Sequence, residues 1–208
     1  ADMPSLSSYD KGKRSFEGRR YKDDIAAAVD AQNKLFAPIK NAKKAKPELY
    51  MTLGNHDQAR IERATQLDST LYGTIGVEDL QYDKFGWKVT KFKDILFLDN
   101  IAFTHYFTTG LMDNPIGGIN LGQSILNKMH TNAFQGHQHV LNIANTTLAN
   151  GKRIWGGSIG CYFDHREDYV SSRAQADWWR GVVELTVEKG EIQDISLITL
   201  DTLRKEYK

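Results

Sequence analysis

Between residues 23 and 46, Ile25, Ala28, Val29, Gln32, Leu35, Phe36 and Ile39 recur near helical spacing, which predicts a helix over residues 23–46. Asp23 and Asp24 suit its positive N-terminal end. Pro38 is expected to end or kink it, and Pro47 marks the next boundary. The preceding polar stretch, punctuated by Gly12 and Gly18, reads as a surface excursion. A short apolar run over residues 49–53 stops at Gly54 and reads as a buried strand, with a helix over 58–66. Residues 87–107 hold two or three strands with a turn near Asp99-Asn100. A Gly-rich loop spans 108–122, and Asn120 is placed to cap a helix running to His130. Strands follow near 132–135, 141–145 and 153–159. A hairpin around Glu188-Lys189-Gly190-Glu191 closes the pattern. Helix and strand alternate early and strands dominate late, so the class is α/β shading into α+β.

With 208 residues, 40% hydrophobic and 25% charged, the chain reads as a single domain over residues 1–208. The lone Cys161 excludes an internal disulfide and fits a reducing, cytoplasmic setting. No apolar run approaches the roughly 18 residues of a membrane span, and no secretory signal opens the chain. The chain also opens without Met, so further residues are expected upstream of Ala1. Overall charge is balanced, 27 basic against 26 acidic side chains, which argues against a dedicated polyanion binder. Residues 1–46 nevertheless carry 11 basic and 6 acidic side chains. That excess fits either a solvated face or a basic rim that attracts phosphate.

Four of the six histidines follow strand-like runs closely. His56 ends LYMTLGNHD, His105 ends IAFTH, and His137 and His139 lie in NAFQGHQHV, where an extended backbone would project them to one side. Ligand sites in open α/β sheets gather beyond the carboxyl ends of strands. Imidazole is the commonest side-chain metal ligand, and amide and carboxylate oxygens complete such shells. Gly54 and Gly136 would let the backbone approach a cation.

Gly54-Asn55-His56-Asp57, an isolated His105 and Gly136-His137-Gln138-His139 together resemble the second half of the calcineurin-like metallophosphoesterase signature. That family's blocks run D-x-H, GD-x-x-D, GNH-[DE], H and GH-x-H, and the last three stand here in order. The resemblance covers roughly residues 50–200. It implies two mixed β-sheets packed face to face with flanking helices, a sandwich from which the first strand is absent in this chain. In that frame Ala1-Asp2 sits where the last two residues of GD-x-x-D would be.

Carried over residue by residue, the resemblance implies that Asn55, His105 and His137 bind one divalent ion and His139 another. Manganese, iron, zinc and nickel all suit such nitrogen and oxygen donors. The complete enzyme would hold two ions, and this chain one or none. His56 would stabilise or protonate a phosphate oxygen, with Asp2 as the carboxylate that orients it at hydrogen-bond distance, about 2.6–3.2 Å. Asp57 is expected to stabilise the loop. The implied reaction is hydrolysis of phosphomono- or phosphodiesters by a hydroxide bridging the two metals. Catalysis by this incomplete chain is expected to be weak or absent. The partner is a phosphoester substrate, with nucleic acid or nucleotide included and no membrane. The rival possibility is a catalytically incomplete module of the same fold that engages nucleic acid or a protein partner through its basic N-terminal segment. Trp178-Trp179-Arg180 fits either base stacking or core packing, and the 108–122 loop either a lid or a connector.

Overall fold

The computed structural model describes residues 1–40, 47–166 and 170–207. The chain is mixed α/β and divides into two compact units, Ala1–Asp94 and Ile95–Lys208. Among the described residues no helix is long and apolar enough to cross a membrane.

In the first unit, helix α1 (Tyr21–Lys40) passes through Pro38 instead of ending there. Proline removes the bond to the carbonyl four residues back. Here that carbonyl belongs to Lys34, an exposed residue near the helix end, where solvent can serve a carbonyl without its intrahelical donor. The expected continuation to residue 46, with Lys43, Lys44 and Lys46, lies outside the described residues. Gln32, placed on the apolar stripe by its spacing, is buried and bridges two elements. Its Nε2 donates to the Leu80 carbonyl at 2.9 Å and its Oε1 accepts from Trp87 Nε1 at 3.1 Å. A polar side chain tolerates such a position because both ends are satisfied.

Strand β1 (Leu49–Thr52) pairs in parallel with β2 (Trp87–Thr90), and Leu53 extends the ladder by donating to the Thr90 carbonyl at 3.0 Å. Helix α2 (Gln58–Leu67) follows the GNHD turn. The core joins Leu53, Ile61, Leu80 and Tyr82 to Met3, which is fully buried. The opening residues are therefore not a surface excursion throughout. Met3 anchors them, while the Ser5 amide donates to the buried Asp24 carboxylate at 2.9 Å. A single apolar residue in a polar stretch gives no periodicity from which this could be read.

In the second unit, β3 (Leu96–Leu98) and β4 (Ile101–Thr104) form a hairpin across Asp99 and Asn100. Both turn residues have positive φ, 48° and 63°, the conformation a two-residue turn of this hand requires. A small hairpin of β5 (Thr108–Thr109) and β6 (Asn114–Pro115) lies within the Gly-rich loop. Helix α3 (Leu121–Met129) leads to β7 (Asn132–Gln135), and β8 (Leu141–Thr147) and β9 (Arg153–Ile159) follow. These build one five-stranded sheet of order β3-β4-β7-β9-β8, parallel through β4, β7 and β9 and antiparallel at both edges. Helix α4 (Ser172–Ala176), the hairpin of β10 (Gly181–Glu188) and β11 (Glu191–Thr199), and α5 (Leu200–Glu206) complete the chain.

Asn120 precedes α3 as expected but makes no side-chain capping bond. The helix start is fixed from the sheet, because Asn142 Oδ1 accepts the Gly122 amide at 2.8 Å. A Cβ at Gly122 would meet the Ala144 amide nitrogen and the Gly156 carbonyl oxygen, both at 2.8 Å. Only glycine allows this helix to lie so close to β8 and β9. Gly122→Ala should therefore destabilise the protein by roughly 1–3 kcal/mol, because rigid backbone must move. Urea unfolding checks this, and an unchanged midpoint would show that α3 can lift from the sheet without penalty.

Candidate functional site

In the first unit the chemistry gathers where β1 ends. Asp57 is buried and its Oδ1 accepts the backbone amides of Gly54 and Gln58, both at 2.7 Å. It thereby caps α2 and closes the turn that carries Asn55 and His56. This is the loop-stabilising role expected of it. Burial and the neighbouring Asp57 charge push the Tyr82 phenol well above its ordinary range, so it stays a neutral partner to this carboxylate.

Asp2 reaches the same turn. The Met3 amide donates to the His56 carbonyl at 3.1 Å, which carries Asp2 alongside the imidazole. Asp2 Oδ1 lies 3.4 Å from His56 Nδ1, slightly beyond the expected hydrogen-bond window. The same oxygen accepts a hydrogen bond from Arg60, in the first turn of α2. Burial pushes the Asp2 carboxyl up, but the neighbouring His56 and Arg60 outweigh it and hold it below its ordinary value of 3.8. Asp2 is thus ionised at neutral pH and held on two sides. Arg60 went unremarked in the sequence, although its place four residues after His56, just inside a helix, is where a side chain can turn back to the loop.

In the second unit, β4 and β7 run parallel with Thr104 opposite Gln135, so both strands end at the same level. The next residues are His105 on one strand and Gly136-His137 on the other. His105 Nε2 and His137 Nδ1 stand 3.1 Å apart, and the Gly136 amide continues the ladder to the His105 carbonyl at 3.1 Å. Two nitrogens side by side on one cation, each at about 2.0–2.1 Å, lie roughly 3.0–3.4 Å apart, so this pair fits a shared divalent ion.

The loop carrying these rings is not extended. His137 and His139 both sit in the left-handed region, φ 64° and 61°. The strand ends at Gln135, and the expectation that an extended backbone projects both histidines to one side is overturned. For a side chain with a Cβ this conformation carries about 1–2 kcal/mol of strain, of the kind that collects at functional loops. Gly136 plays no special steric part, because a Cβ there would meet only the His105 carbonyl oxygen, at an ordinary 3.9 Å. His139 is set among aromatics: its ring is edge-on to Trp178 at 4.7 Å and to Phe163 at 5.0 Å. Its carbonyl accepts the Trp179 amide at 2.9 Å.

The structure thus brings Asp2 to His56 beside Asn55, brings His105 to His137, and places His139 in an aromatic cluster. Among the described residues no group of three or more His, Cys, Asp and Glu side chains forms a ready cation cluster. Cys161 is buried, and burial pushes its thiol up, away from nucleophilic use. In the basic N-terminal segment, Lys13 and Arg19 share Asp10 at 3.5 and 2.8 Å, and Lys34 pairs with Asp30 at 2.6 Å. Three of the eight basic side chains described in that segment are therefore ion-paired within the chain. No family model, curated protein or solved structure matches this sequence.

Two outcomes follow from this geometry. Asp57→Ala strips two buried amides of their acceptor and removes a helix cap, and should lower stability by about 2–3 kcal/mol in chemical denaturation. A loss below about half a kcal/mol would mean that water serves the loop equally well. At His137, glycine and alanine both remove the imidazole, but only glycine relieves the backbone. His137→Gly should therefore be more stable than His137→Ala by about 1 kcal/mol, and the reverse order would show that the turn relaxes to negative φ.

Proposed function

We propose that this chain is a metal-dependent phosphoesterase of the metallophosphoesterase type, hydrolysing phosphomono- or phosphodiesters. The observation that carries the reading is the pair of imidazole nitrogens 3.1 Å apart at the level ends of two parallel strands. The order of GNHD, His and GHxH along the chain supports it. So does the five-stranded sheet with a long hairpin, β10–β11, following it, which suits the sandwich that such a fold builds. His105 and His137 would hold one divalent cation and His139 a second. Bound cations supply Lewis-acid neutralisation of the phosphoryl charge and lower the pKa of water.

The protein's own groups then divide the remaining work. Asp2, ionised and pinned by Arg60, faces His56 Nδ1 and fixes a proton on that nitrogen. The other ring nitrogen is left to hydrogen-bond a phosphate oxygen or to give a proton to the leaving oxygen. Burial of Cys161, with its thiol pushed up, disfavours that side chain as a nucleophile and leaves water as the attacking group of this reading.

Metal content and turnover separate these roles. Equilibrated with manganese or zinc and desalted, the protein should retain metal, and His105→Ala and His137→Ala should lose it. In the complete enzyme, Asp2→Asn should keep its metal while turnover of a nitrophenyl phosphodiester falls by roughly 10²–10⁴-fold. Metal retention that is indifferent to His137→Ala would sink the proposal.

A further inference from the structure

Within the second unit, a cleft of about 510 Å³ is lined by Arg166, Arg180 and Arg204, by Asp164 and Asp201, and by the indole of Trp178. Its two carboxylates are both engaged with one arginine: Arg204 ion-pairs with Asp164, and with Asp201 at 3.3 Å. Among the described residues, Arg180 and Arg166 make no ion pair, and three guanidinium groups against two carboxylates leave the cleft one net positive charge. Arg180 is the more constrained of the two. Its Cζ stands 5.5 Å from the centroid of the Trp178 ring, and its Nε is shut off from solvent with no acceptor. A buried N–H without a partner costs about 1–3 kcal/mol, which an anionic oxygen entering the cleft would recover. Guanidinium groups match phosphate oxygens in shape as well as charge.

The wall of the cleft also leads to the candidate site, because the Trp178 ring lies 4.7 Å from that of His139. A phosphate held by Arg180 would be distinct from one undergoing hydrolysis, so the ligand must carry phosphates in series. The Trp178 indole on the cleft wall, with Arg180 over it, supplies the aromatic and cationic surface against which flat bases pack. We propose that this cleft binds a backbone phosphate of a single-stranded nucleic acid, one other than the phosphate being hydrolysed. The inference rests on the phosphoesterase reading above, and it narrows the substrate to an oligonucleotide.

The test is a fluorescence-anisotropy titration of end-labelled oligothymidylate with the 208-residue protein, in EDTA and across a salt series. Arg180→Gln should weaken binding by about tenfold, and it should flatten the slope of log affinity against log salt by roughly 0.7. Arg166→Gln, at an exposed position whose loss the fold tolerates, should flatten the slope similarly. Affinity and slope unchanged in both variants would overturn the proposal. So would displacement of the oligothymidylate by a singly phosphorylated peptide as readily as by unlabelled strand. Binding in EDTA is independent of hydrolysis. Absence of metal-dependent turnover with oligonucleotide binding intact would therefore strike the phosphoesterase reading alone, while turnover with indifferent arginines would strike the cleft alone.

Discussion

The parallel pairing of β4 with β7 governs what the second unit can do. Because Thr104 sits opposite Gln135, the two strands finish together, and the residues that follow must share one small volume. A slip of one residue would turn His105 or Gly136 to the opposite face and break the nitrogen–nitrogen approach of 3.1 Å. The register is in turn secured by burial, since every residue of β7 is buried and Ala102 and Ala133 pack in one core with Ile125. Helix α3 can press on this sheet only because Gly122 has no side chain. The chemistry at the strand ends thus depends on packing well away from it.

In the first unit the corresponding constraint is a carboxylate. Asp57 gathers two amides that the turn would otherwise leave unpaired, and the turn so formed holds out Asn55 and His56. Asp2 is brought to the imidazole by main-chain contact and by Arg60, and Met3 in the core is the anchor for that approach. Charge and packing are therefore not separable here: a buried methionine sets the position of the carboxylate next to it.

Much of this was legible in advance. A short apolar run stopping at Gly54 located β1, and turn residues that tolerate positive φ located the β3–β4 and β10–β11 hairpins, the latter with clear alternation. The placement of Asn55, His56, His105 and His137 at strand ends was equally readable, since apolar runs stopped at glycine or a polar turn. What escaped was whatever depends on the far side of a contact. Pro38 stays within α1 because the carbonyl it deprives belongs to an exposed residue, Met3 shares its core with buried residues fifty or more positions away, and Arg60 matters through Asp2. The left-handed backbone at His137 and His139 escaped for another reason. Histidine adopts it more readily than most side chains, yet nothing in the local pattern calls for it, and only the loop around them imposes it.

The edge-on contact between His139 and Trp178 has an optical consequence. Indole emission responds to the electric field across the ring, and a positive charge arriving on an imidazole 4.7 Å away alters that field strongly at so short a range. Arg180, over the same ring, sets the field from another side. Of the four tryptophans in the chain, Trp178 is thus wired to the state of a single histidine. The intrinsic fluorescence of the protein therefore contains a built-in electrometer for that site, without any label.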